Sequence, residues 1–133
     1  MYMSKFLDTN ILLRGIIGDV ESQSKVFVNL VSESARLDQK LHIVSQVLFE
    51  MVYVLKNNYK ADKQNIIAAI RKVLAFNHIV FYDKSVFDAS LSIYETKNIS
   101  IEDCYYIAHC IENNLEFISF DKKALNIYNS LKS

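Results

Sequence analysis

The 133-residue sequence contains no proline and only two glycines, Gly15 and Gly18. Phosphate loops of the G-x-G-x-x-G or Walker type need several glycines so that backbone amides can close on a phosphate, and they cannot be built here. Net charge is also missing, since 15 basic residues balance 15 acidic ones. There is thus no bulk electrostatic footprint for nucleic acid or membrane, and any polyanion must be held by a local patch. Apolar runs are short: stretches such as Val47–Phe49 fall far below the ~18 residues of a membrane span. No basic segment followed by an apolar signal core opens the chain, so the expectation is a cytoplasmic protein with no membrane role. Cysteine is scarce as well. Cys104 and Cys110 lie on a predicted helix at a rise of ~1.5 Å per residue, about 9 Å apart, too far for a mutual disulfide. They read as reduced, packed thiols.

What the chain does have is apolar residues, 51% of the total, enough for one globular domain spanning residues 1–133. No repeat, low-complexity tract or linker interrupts it. Short β-like runs alternate with longer helical ones. Strands are predicted at Lys5–Leu7, Leu41–Val44, His78–Tyr82 and Glu116–Phe120. Helical periodicity covers Val20–Leu37 (one helix or two), Gln46–Asn58, Ser85–Lys97, Ser100–Asn113 and the segment from Lys122 onward. Asp62 is positioned to cap a further helix bearing Ile66, Ile67, Ile70, Val73 and Leu74. This alternation predicts an α/β fold with a mostly parallel central sheet flanked by helices. In such sheets ligands bind beyond the carboxyl ends of the strands.

Four carboxylates draw attention against that frame. Asp8 ends the first predicted strand in "SKFLDTNILLRG", and Asp121 ends the last in "EFISFDKKAL". Each also reads as an ordinary helix N-cap. Glu50 is the single charge between Val47 and Leu55. It lies at the border of the apolar arc formed by Val47, Leu48, Met51, Val52 and Leu55, where an ordinary boundary Glu would also sit. Asp103 follows Ser100 by three residues, as in a capping box. It flanks the side carrying Cys104, Ile107, Ala108 and Ile111, whereas Glu102 points away. If the four acids converge at one sheet edge, pairs ~4 Å apart repel by about 4 kcal/mol at an effective dielectric of 20. Such a cluster protonates or binds a cation. An all-oxygen set without His or Cys suits Mg²⁺ or Mn²⁺ rather than zinc, and hard cations held by carboxylates are common apparatus for phosphodiester hydrolysis.

The ordered segments "FLDTNILL", "SQVLFEMVYVL", "ISIEDCYYIAHC" and "FISFDKK" resemble the PIN domain family, most of all the VapC-type toxins of prokaryotic toxin–antitoxin pairs. The resemblance runs from Phe6 to Lys123. It implies a three-layer α/β sandwich and a metal-dependent ribonuclease using one or two Mg²⁺ or Mn²⁺ ions. It further implies Asp8, Glu50, Asp103 and Asp121 as metal-site acids. Asn10 would be a supporting or substrate contact, and Ser119 a hydrogen-bonding group within the site. Partners implied are an RNA substrate, a cognate antitoxin protein and a second copy in a homodimer. One departure stands out: the family often has a further short strand after the last acidic loop, whereas "LNIYNSLKS" reads as helix.

Backbone binding would fall to local cations. Arg14 is near Asp8 in sequence, and Lys122 and Lys123 follow Asp121; each also reads as a solvated charge. Lys56, Lys60 and Lys63 form a second cluster that reads as plain surface. His42, His78 and His109 read as surface or satisfied positions, and Tyr53, Tyr105 and Tyr106 as packing residues. Two other readings remain. A catalytically inactive PIN-like module would bind a protein partner or RNA with weak metal affinity. A phosphoacceptor signalling domain would want paired acids near the first strand end, and "SKFLDTN" offers one.

Overall fold

A computed structural model describes residues 4–132 of the chain. Among the described residues there are three strands and seven helices. They fall into two compact units, Met1–Tyr82 and Asp83–Ser133.

The first unit holds β1 (Lys5–Phe6), α1 (Thr9–Ile17), α2 (Glu21–Leu37), β2 (Leu41–His42), α3 (Ser45–Asn57), α4 (Lys63–Leu74) and β3 (Ile79–Val80). The strands form one parallel sheet in the order β1-β2-β3, with Lys5 opposite Leu41 and Leu41 opposite Ile79. All three predicted strands of this half therefore exist, each shorter than the apolar run that announced it. The ladder nevertheless reaches past the strand ends: Leu7 N–H donates to the His42 carbonyl (3.0 Å), and Ile43 N–H to that of Val80 (3.1 Å). Leu7, Leu41, Ile43 and Ile79 are buried, as expected of parallel strands covered by helices. Because the sheet is parallel, the chain leaves β1, β2 and β3 at a common edge, and Asp8 stands on it directly after Leu7.

Helix faces follow the apolar spacing. Val47, Leu48, Met51, Val52 and Leu55 of α3 are buried together, as are Ile66, Ile67, Ile70, Val73 and Leu74 of α4. Asp62 caps α4 by accepting from Asn65 N–H at 2.9 Å. The Val20–Leu37 periodicity becomes one 17-residue helix, α2, packed against α1. Gly15 makes that approach possible, for a Cβ there would fall 2.2 Å from Cδ1 of the buried Phe27 ring. Gly18 ends α1 in the left-handed region (φ 70°), its N–H returning to the Arg14 carbonyl at 3.0 Å. A left-handed C-terminal position is the one glycine fills at least cost.

The second unit holds α5 (Lys84–Thr96), α6 (Ile101–Glu112) and α7 (Lys122–Lys132). α5 packs on α6 and α6 on α7, burying Phe87, Leu91, Ile107 and Cys104 completely or nearly so. Ser100 caps α6 by accepting from Asp103 N–H at 3.1 Å. Phe117 packs its ring on Tyr128 (centroids 5.8 Å apart), whose hydroxyl donates to the Leu115 carbonyl at 2.8 Å.

The fourth predicted strand, Glu116–Phe120, is not one: these residues carry no strand assignment. Burial alternates as in a strand, with Phe117 and Ser119 half-buried. However, Ile118 and Phe120 face solvent at 79% and 106% relative exposure. Its own unit contains no other strand among the described residues, so its backbone groups have no ladder partner there. Ile111 departs from expectation too, being exposed at 38% instead of completing the buried face of α6. The C-terminal segment is helical as its spacing predicts; Ser133 lies outside the described residues.

Candidate functional site

Asp8 accepts a hydrogen bond through Oδ1 from Ile11 N–H at 3.1 Å, so it does cap α1. The cap occupies one oxygen of a group with roughly four lone-pair sites, which leaves capping and ligand binding compatible. A cavity of about 420 Å³ opens beside it, lined by Phe6, Asp8, Asn10, Gln46, Glu50 and Val54 among others. Asp8 comes from the turn after β1, Asn10 from the first turn of α1, and Glu50 from the middle of α3. Two of the four sequence-selected acids thus share one cavity, which Asn10 also lines.

Glu50 is fixed there by Thr9, a residue the sequence alone did not single out. The Thr9 hydroxyl donates to Glu50 Oε2, and Thr9 is buried at 9% exposure. A buried hydroxyl without a partner costs about 1–3 kcal/mol, so this contact ties α3 to the start of α1 and holds the Glu50 carboxylate beside Asp8. The sequence signal was the β-branched Thr next to Asp8, but its partner 41 residues away was not legible.

A second cavity of about 350 Å³ is also lined by Asp8 and Asn10, together with Ile11, Arg14, Gln23 and Val26. Arg14 is not the solvated charge the sequence allowed. Its Nη1 donates to both Asp19 oxygens (3.0 and 3.2 Å) and contacts the Tyr59 hydroxyl at 3.1 Å, which in turn donates to Asp19 Oδ2 at 3.0 Å. Hydrogen bonds with Tyr59 and Asp19 raise the Arg14 pKa above its ordinary value. For Asp19, desolvation pulls the carboxyl upward, but the hydrogen bonds from Tyr59 and Arg14 and the Arg14 charge outweigh it and hold the group below its usual range. Neither Asp19 nor Tyr59 was singled out from the sequence.

In the second unit, Asp121 caps α7, its Oδ1 accepting from Ala124 N–H at 3.1 Å. Ser119 Oγ accepts from Asp121 N–H at 3.0 Å, which fixes the backbone that carries this acid. Asp103 is half-buried next to buried Cys104, while Glu102 is exposed, as the helical spacing predicted. Lys122 and Lys123 are exposed. Tyr105 packs against Phe87 (5.9 Å) and stacks on His109 (6.2 Å). Tyr106 and Tyr53, expected to pack, are instead exposed at 50% and 65%.

Among the described residues, no three His, Cys, Asp or Glu side chains are gathered in a way that would hold a metal ion. The donor chemistry beside Asp8 still suits a hard cation. Two carboxylates and two amides, those of Asn10 and Gln46, line one water-accessible cavity, and Mg²⁺ commonly takes one or two carboxylates while keeping several waters.

Comparison with known proteins identifies the family. A family model described as the PIN domain matches residues 5–129. The chain belongs to the PIN domain family. One relative is a VapC ribonuclease of Aquifex aeolicus (strain VF5), 24% identical over 100 residues, covering 75% of this chain and 73% of that protein. The family match spans all three strands and nearly all seven helices of this PIN domain chain, including each of the four acids. No helix among the described residues is long and apolar enough to cross a membrane.

Proposed function

We propose that this PIN domain protein is a metal-dependent endoribonuclease that hydrolyses RNA phosphodiester bonds, serving as the toxin of a toxin–antitoxin pair. The observation that carries this reading is the pairing of Asp8 and Glu50 on one cavity at the carboxyl edge of the parallel sheet. Family membership and the VapC ribonuclease relative support it. Asp8, Glu50, Asp103 and Asp121 are the acids we assign to one or two Mg²⁺ or Mn²⁺ ions. When bound, such an ion would lower the pKa of a water and stabilise charge developing on phosphate oxygens. Thr9 holds Glu50 in position, Asn10 offers a neutral polar group to substrate or solvent, and Arg14 supplies a cation to the RNA backbone. Ser119 supports Asp121 through its backbone amide. The three-layer sandwich, the cognate antitoxin, the homodimer and a cytoplasmic location belong to the same reading.

The test is cleavage of a fluorescently labelled RNA by purified protein. EDTA should stop cleavage, Mg²⁺ or Mn²⁺ should restore it, and Asp8→Asn should lack it. Cleavage that ignores EDTA excludes the metal mechanism, and full activity in Asp8→Asn sinks the site. Tight RNA binding with no cleavage under any metal would instead favour an inactive binding module.

A further inference from the structure

Arg14 is held unusually well for a surface arginine, and the manner of its holding points to a purpose. Two backbone segments converge on it, the Gly18–Asp19 turn and the chain around Tyr59. α1 closes with Gly18 N–H on the Arg14 carbonyl (3.0 Å), and the next residue, Asp19, closes on the Arg14 side chain. Tyr59 arrives from beyond α3, its own N–H anchored to the Val54 carbonyl at 3.2 Å and the following turn pinned by Ala61 N–H to Leu55 at 2.9 Å. All three side-chain contacts fall on one nitrogen, Nη1. A guanidinium has five donors in a rigid planar fork, and among the described residues Nη2 and Nε donate to no partner, which leaves them to a second acceptor. The same side chain lines the 350 Å³ cavity shared with Asp8 and Asn10. A fork gripped by one prong, on a side chain that lines a cavity with Asp8, suits a preorganised phosphate contact.

We propose that Asp19 and Tyr59 are positioning residues that fix the Arg14 fork for an RNA phosphate next to Asp8. This rests on the nuclease reading above. It also makes a prediction that charge counting alone does not. Removing the Asp19 carboxylate adds one positive charge to the patch, so simple attraction would tighten RNA binding. Removing a positioning group weakens it. Ordering a long side chain carries an entropy cost, and the clamp meets that cost before the substrate arrives.

The experiment measures binding of a short single-stranded RNA by fluorescence anisotropy over a salt series, in an Asp8→Asn background so that the RNA survives. Arg14→Gln should weaken binding about 5-fold and reduce the salt slope by about 0.7, the value for one phosphate contact on a single strand. Tyr59→Phe, which alters no charge, should weaken binding about 2- to 3-fold, and Asp19→Asn should weaken it too. Both weakening effects should vanish when combined with Arg14→Gln, because each residue acts through that arginine, and Asp19→Asn should then show only the attraction of its added charge. A Tyr59→Phe effect that persists without Arg14, tighter binding in Asp19→Asn, or an unchanged salt slope in Arg14→Gln overturns the clamp. These outcomes leave the nuclease reading standing. Absence of RNA binding by the Asp8→Asn protein overturns the clamp alone, whereas cleavage of the RNA by it overturns the nuclease reading and the clamp with it.

Discussion

Gly15→Ala is the substitution whose outcome the packing determines most sharply. In an exposed helix this change stabilises by about 1 kcal/mol through helix propensity. Here the new Cβ would lie 2.2, 2.3 and 2.8 Å from Cδ1, Cγ and Cβ of Phe27. Ordinary contact begins near 3.4 Å, so the neighbour must give way by about 1 Å. The contact includes the Phe27 Cβ as well as the ring, and the ring is packed on Phe76 with centroids 5.7 Å apart. Rotating the ring away therefore does not relieve the clash, and α1 must separate from α2. Overpacking of this kind costs about 1–3 kcal/mol, which outweighs the propensity gain. The expected net loss is about 1–2 kcal/mol by urea denaturation, with an unchanged m-value. The decisive control is the same substitution in Phe27→Ala, itself about 3–5 kcal/mol less stable than the parent. With the ring gone, the 2.2 and 2.3 Å contacts disappear and only the 2.8 Å contact with the residue-27 Cβ remains, so Gly15→Ala should cost less than in the parent, giving a coupling of about 1 kcal/mol. Stabilisation by Gly15→Ala in both backgrounds would refute the packing argument.

The remaining predictions concern the site and its surroundings. Asp8→Asn should abolish RNA cleavage with little change in thermal stability, since Asn caps a helix about as well as Asp, whereas Asp8→Ala should also lose about 1 kcal/mol; cleavage assays beside thermal melts separate the two roles. Thr9→Val should leave the fold largely intact but lower cleavage several-fold, because Glu50 loses the donor that holds it; equal activity in a steady-state assay would remove Thr9 from the site. The Asp19 carboxyl, held below its ordinary range, contributes stability that is present above its unfolded pKa of about 4 and is lost as pH falls through the lower folded value. Asp19→Asn should therefore flatten that part of the acid denaturation curve, and an identical curve would contradict the pairing. Burial pushes the Cys110 thiol up and Cys104 is fully enclosed, so both should react slowly with thiol reagents at neutral pH in the folded protein and promptly in denaturant.

Much of this molecule was legible because its signals are local. The α3 and α4 faces follow from apolar spacing, and the caps at Asp62, Ser100 and Asp121 follow from short polar residues ahead of helical runs. The parallel sheet followed from strand–helix alternation, which also put Asp8 at its carboxyl edge. The failures have a common physical origin. "EFISF" has the composition of a strand, yet a strand exists only where a neighbour completes its hydrogen bonds, and composition says nothing about the neighbour. The Thr9–Glu50 and Arg14–Asp19–Tyr59 contacts were invisible for a similar reason: their members lie 41 and 40 to 45 residues apart apart from the Arg14–Asp19 pair, and each looks ordinary alone. Capping and function also proved compatible at Asp8, where one residue caps a helix and lines the cavity.

The central claim is that the acids singled out here serve a divalent cation. Calorimetric titration of Mn²⁺ into the parent protein, beside Asp8→Asn and Asp103→Asn, tests it most directly. The account predicts saturable binding by the parent that is lost in both variants. No binding by the parent, or equal binding by all three proteins, would contradict it.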